Sequence, residues 1–213
     1  MTNSNFYKTH PLTDTLADGT EVHLVLPIER TGNRPLYTSS QGKPYSHVRV
    51  LNKQTGTHEW IYREQVPIMD TTPVNRFNGH RKQRYHKMSH FGNIFLSHAV
   101  ALAWIGPQPG TSSRQTGGVA SAEKGNQERY ECHHLNGITL DNRADNLIWL
   151  SRKEHRLFDT VQRALRMAGR DLTKMSREEI ISITISRSSD TNCRSSIANC
   201  RSSIASELYS DIH

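Results

Sequence analysis

Residues 130–159, YECHHLNGITLDNRADNLIWLSRKEHRLFD, restrict what this chain can fold into more than any other stretch. Arg129–Cys132 is a short β-prone run that ends at the pair His133-His134. The following LNGITLDNRADN is rich in turn residues, among them Asn136, Gly137, Asn142 and Asn146. LIWL then reads as a short apolar strand. Ser151 with Glu154 three residues later has the spacing of a capping box, so the chain must pass there from strand to helix. Val161 and Leu165 carry the apolar face of that helix onward, and it stops near Gly169. The order strand, loop, strand, helix predicts a ββα unit.

The unit gathers chemistry. His155 falls in the first or second turn of the helix, and Asp159, four residues on, shares its face. Strand-end histidines can be brought against that face, so His133, His134, His155 and Asp159 are expected to converge. Imidazole and carboxylate together suit a divalent metal with open positions. A lone His pair means little, because paired histidines are common on surfaces. His-His, Asn-Leu and His within residues 133–155, on matching β and α elements, form a far more specific combination.

This segment resembles the HNH endonucleases, and within them the phage and intron-encoded homing enzymes. Their pattern of His pair, Gly-containing loop, Asn-rich turn ending Asn-Leu, Trp strand and helix with a final His or Asn is met here. It reads His133-His134, Asn136-Gly137, Asp141-Asn142 through Asn146-Leu147, Trp149, and Glu154-His155. SHAVALAWIGPQP (97–109) is similar, more loosely, to a stretch that precedes the motif in those enzymes.

The resemblance implies a metal-dependent endonuclease, a nuclease or nickase acting on double-stranded DNA. A DNA-binding module whose HNH unit no longer cleaves is the alternative. It makes His134 the general base, which a neutral imidazole near pH 7 can be. It makes His133 and His155 metal ligands. Asn146, grouped with His134 at the catalytic centre, would bridge backbone groups across the loop and so orient that base, with Asn142 bracing the same turn. Many relatives carry a second ligand four residues after the first on the helix. Here that position is Asp159, which either ligates, directly or through water, or stands as a solvated helix residue. Mg²⁺ or Mn²⁺ is the expected cofactor, with Zn²⁺ a third candidate. Cys132 should point away from His133 if the strand continues. The chain has no CxxC pair, which argues against a supporting zinc knuckle.

The rest of the chain is read around this unit. Residues 1–75 form a β-rich region, an accessory segment that could contact DNA, with EVHLVLPI (21–28), SHVRVL (46–51) and HEWIYREQVPI (58–68) as β-prone runs between turns. Residues 76–170 are the nuclease domain with its lead-in. RFNGHRKQRYHKM (76–88) holds Arg76, Arg81, Lys82, Arg84 and Lys87 with no acid, a composition suited to phosphate contact. Ser97 is expected to cap a short core helix ended by Gly106 and Pro107. His98, in its first turn, is expected to be a packed or surface residue and not a ligand. Residues 106–128 read as a long flexible loop. Residues 171–213 predict one short helix, with Ser176 three before Glu179, and then a disordered polar tail. In that tail NCRSSIA occurs twice in tandem, at 192–198 and 199–205.

Charge agrees with a polyanionic partner: 27 Lys+Arg against 20 Asp+Glu give a net +7. Three cysteines without a dense framework and no apolar run long enough for a signal peptide or membrane span predict a cytoplasmic protein, in a bacterium or phage-infected host. The sequence carries no signature of oligomeric state. The fold class expected is α+β: a ββα-metal unit after a small β-rich region.

Overall fold

The computed structural model describes residues 4–72, 83–109 and 130–187. A short helix α1 (Ser4–Thr9) leads into β1 (Thr13–Thr15), β2 (Glu21–Leu24), β3 (Leu36–Ser39), β4 (Pro44–Leu51) and β5 (His58–Glu64). These form one antiparallel sheet in chain order. β6 (Ile68–Thr72), β7 (Gln83–Met88) and β8 (Ile94–Phe95) form a second sheet with β7 in the middle. Helix α2 (Leu96–Trp104) follows. Then come β9 (Tyr130–His134) and β10 (Leu147–Ser151), paired antiparallel, and the helices α3 (Arg152–Met167) and α4 (Arg177–Arg187). The architecture is mixed α and β, with the two longest described helices following β10.

Several sequence expectations need adjustment. Leu36–Ser39, between the runs picked out as β-prone, is a fully buried strand. Ser97 does not cap α2: Phe95 holds that position with no side-chain hydrogen bond, and Ser97 lies buried inside the helix. Over its described part the basic run is structured, with Gln83–Met88 as the central strand β7. Arg76, Arg81 and Lys82 lie outside the described residues, as do most of the 106–128 loop and the tandem repeat. No described helix is long and apolar enough to cross a membrane.

β10 explains how the layers meet. It is buried along its whole length, so its alternating side chains serve two cores. Leu147 and Trp149 join α2, Val25, Leu36 and Met88 in one cluster. Ile148 and Leu150 join Leu135, Phe158, Ile180 and Ile181 in another, between the hairpin and the helices α3 and α4. Burying Phe158 completely contributes about 1.5–3 kcal/mol by area alone. The indole of Trp149 donates to Gly106 O (3.1 Å), and that of Trp104 to Thr38 O (3.0 Å), which ties α2 to the hairpin and to the first sheet.

Candidate active site

α3 begins where the sequence said it must. Ser151 Oγ accepts from Glu154 N (3.3 Å), and Glu154 Oε2 accepts from Ser151 N (2.8 Å), a complete capping box. The turn fixes the angle at which the helix leaves β10 and so where His155 and Asp159 lie. His155 Nδ1 is 3.6 Å from Asp159 Oδ2 and 3.6 Å from Glu131 Oε2. The His133 and His155 rings meet edge to face with centroids 4.6 Å apart. One ligand atom from each of His133, His155 and Asp159 can be chosen so that all lie within 4.8 Å of one another. Two imidazoles and a carboxylate at that spacing fit a divalent cation.

His134 does not join them. In the β9–β10 register His133 lies opposite Ile148, and His134 opposite Leu147. The pleat therefore sends His133 to the α3 side and His134, like Cys132, to the α2 side. Of the four groups expected to converge, three do. Cys132 faces away from His133 as expected, and its thiol donates to Ser97 O (3.6 Å). Burial pushes that thiol up to about 12, so it is unreactive near neutral pH.

Both histidines of the pair are 5% exposed and neutral at pH 7. Burial, reinforced by the neighbouring His155 and His134, takes His133 down to about 3. Burial also lowers His134, opposed by its hydrogen bond to Asn142 and by the Asp141 carboxylate. His134 Nε2 is 3.3 Å from Asn142 Oδ1. Asn146 braces the loop through Asn136 and Asp141. Its Oδ1 accepts from Asn136 N (2.9 Å), and its Nδ2 donates to Asn136 Oδ1 (3.0 Å) and Asp141 O (2.7 Å). Gly137 (φ +70°) turns the loop where a Cβ would run into the Arg166 guanidinium.

The site uses residues the sequence reading missed. Gln162 Nε2 donates to the carbonyls of His134 (2.9 Å) and Leu135 (2.8 Å) and lies 2.9 Å from His133 Nε2, backing the His pair from α3. It stands seven residues after His155, on the same helix face, so helical periodicity could have found it. Glu131, two residues before His133, was legible from strand alternation. Tyr85 and His86 carried no signal, because β7 is distant in sequence. Burial raises the Tyr85 phenol, and the Asp159 and Glu131 carboxylates raise it further; the approach of His86 Nδ1 to Asn142 Nδ2 (3.1 Å) places β7 against the site loop. Arg84 is exposed on the same strand, and its carbonyl accepts from Thr139 Oγ1 (2.6 Å). Lys87 is partly engaged, 3.5 Å from Asp70 Oδ2 and 5.9 Å from the Phe95 ring centroid.

The segment that supplies the His pair, the bracing loop, β10 and the start of α3 has a match among known families. Residues 119–157 match the family model of the HNH endonucleases. The chain carries an HNH segment. No match was found among curated proteins or solved structures. The HNH match ends just after His155, so Asp159 and Gln162 extend the site beyond it along α3.

Proposed function

We propose that the chain is a metal-dependent endonuclease that hydrolyses phosphodiester bonds in double-stranded DNA, as a site-specific nuclease or nickase of the homing or phage type. The observation that carries this reading is the His133, His155 and Asp159 group, with a neutral His134 held by Asn142 as the next residue of the same strand, all within or just beyond the HNH segment. His133, His155 and Asp159 would hold the cation, with Mg²⁺ or Mn²⁺ favoured. When bound, that ion supplies positive charge to a phosphate oxygen and the departing 3′ oxygen.

The chain's own groups do the remainder. Neutral His134 accepts a proton from the attacking water. Asn142 holds the ring, and Asn146 keeps the loop under it closed. The net +7 charge draws the polyanion in, with Arg84 exposed on β7.

Supercoiled plasmid incubated with protein and Mn²⁺ or Mg²⁺ should be nicked or linearised, and EDTA should stop it. His134→Ala should lower the rate by about 10²–10⁴ while DNA binding persists, since phosphate contacts supply most of the affinity. Wild-type cleavage by His134→Ala would remove the base assignment, and cleavage undiminished in EDTA would remove the metal. Binding without any cleavage by the wild-type chain would favour the inactive DNA-binding module.

A further inference from the structure

We propose that His86, on β7 and outside the HNH segment, is a positioning residue that sets the working tautomer of His134 through the Asn142 side chain. The inference rests on the reading of His134 as the proton acceptor.

The argument is a count of hydrogens. Asn142 is 6% exposed, so its amide must find protein partners. Its Nδ2 lies 3.3 Å from Leu140 O and 3.1 Å from His86 Nδ1. A carbonyl oxygen can only accept, so the NH₂ end of the amide faces Leu140. The second amide hydrogen then points to His86 Nδ1, which must present a lone pair. Asn142 Oδ1 is left facing His134 Nε2 at 3.3 Å. That oxygen can only accept, so Nε2 of His134 carries the hydrogen and Nδ1 carries the lone pair. Nδ1 of His134 has no hydrogen-bond partner among the described residues. It is also not a buried orphan, since among the described side-chain polar atoms only Thr38 Oγ1 is both buried and unpartnered. It is thus the nitrogen available to a water.

His86 fits this task. Burial lowers its pKa, which keeps it neutral and able to accept. Asn142 is also held from the other side. Gly42 (φ +79°), in the β3–β4 turn, approaches so closely that a Cβ there would lie 2.7 Å from Asn142 O. Ala144 N donates to Ser40 O (2.8 Å) from the same turn. The loop of the HNH segment is clamped between the first sheet and β7. Without an acceptor at residue 86 the longer contact to Leu140 O (3.3 Å) is left to orient the amide against His134, a weaker hold that lets His134 exchange tautomers.

The test uses the full chain with imidazole ¹⁵N labelling, plasmid nicking with Mn²⁺, DNA affinity and urea unfolding. In the wild type, ¹⁵N shifts should report both His134 and His86 as Nε2–H tautomers. An Nδ1–H wild-type His134 overturns the proposal whatever the variants do. His86→Phe keeps a ring of similar size and removes the acceptor. It should mix the His134 tautomers and lower the nicking rate at saturating DNA at least about tenfold, the scale on which outer orienting partners act, with affinity unchanged. His86→Asn returns an acceptor near the Nδ1 position and should recover most of the rate and the single tautomer. A merely structural His86 would lose stability in both variants with no tautomer change, and that result also overturns the proposal. His134→Ala run alongside separates the two readings. If it cleaves normally, the base assignment has failed; if it is inactive while His86→Phe is normal, only the His86 inference has failed.

Discussion

Replacing Asn146 by Asp exchanges one NH₂ for one oxygen and leaves the volume almost unchanged. In the native loop that NH₂ donates to Asn136 Oδ1 at 3.0 Å and to Asp141 O at 2.7 Å, in a residue 5% exposed. In the variant both contacts become oxygen against oxygen. Asp141 O, left unpaired in a buried place, costs about 1–3 kcal/mol, while Asn136 Oδ1 keeps its bond from Ile138 N (2.8 Å) but now faces an oxygen. The bond from Asn136 N (2.9 Å) survives and strengthens as it becomes charge-assisted, returning about 1 kcal/mol. The Asp141 carboxylate, held 2.7 Å from Asn136 Nδ2, adds like-charge repulsion. With that repulsion included, a net loss of about 1–3 kcal/mol is a sizeable share of the roughly 5–15 kcal/mol that holds a domain together. Urea unfolding followed by circular dichroism should show the midpoint fall by about 0.5–1.5 M. Nicking should fall with it, because the same loop carries Asn142 and hence His134. A midpoint within about 0.3 M of wild type, with unchanged nicking, would refute the view that this amide holds the loop closed.

His98 packs between Phe95 and Trp149, and burial, with Arg30 and His134 as further causes, takes it from 6.5 down to about 4. The unfolded chain therefore binds this proton below pH 6.5 while the native one does not until about pH 4. Stability is full above 6.5 and falls across that window by up to about 3 kcal/mol. Urea midpoints at pH 7 and 4.5 should converge more for His98→Phe than for wild type, and equal acid losses would refute the assignment. Ile180→Ala, at a residue 2% exposed against Leu135 and Phe158, should cost about 2–5 kcal/mol in a thermal or urea melt. A loss under about 1 kcal/mol would mean α4 is not part of the core beneath the hairpin. Asp159→Ala should raise the Mn²⁺ concentration for half-maximal cleavage by about tenfold or more. An unmoved metal requirement would return Asp159 to the status of a solvated helix residue.

The local instructions for the HNH segment were legible because they act over a few residues. Ser151 and Glu154 are three apart, and the capping box they form is a property of one helical turn, so it survives whatever packs around it. His155 and Asp159 share a face for the same reason. The His pair was legible as chemistry but not as geometry. Adjacent residues on a strand face opposite ways, and which face meets α3 was decided by β10, where Ile148 and Leu150 pack on α3 and α4 while Leu147 and Trp149 pack on α2. That choice put His133 with His155 and Asp159, a group that could hold a metal, and His134 with Asn142. The buried strand β3 was overlooked because its polar Thr38 and Ser39 hide a position at 0–1% exposure that only the stacking of layers creates. His86 lay furthest from reach. Its sequence neighbours read as a basic run suited to phosphate, and nothing local connects it to a loop more than fifty residues away. Only the pairing of β7 between β6 and β8, against the HNH loop, brings its ring to 3.1 Å from Asn142. Periodicity and capping are written in neighbouring residues; contacts between separate sheets follow from the packing of the whole chain.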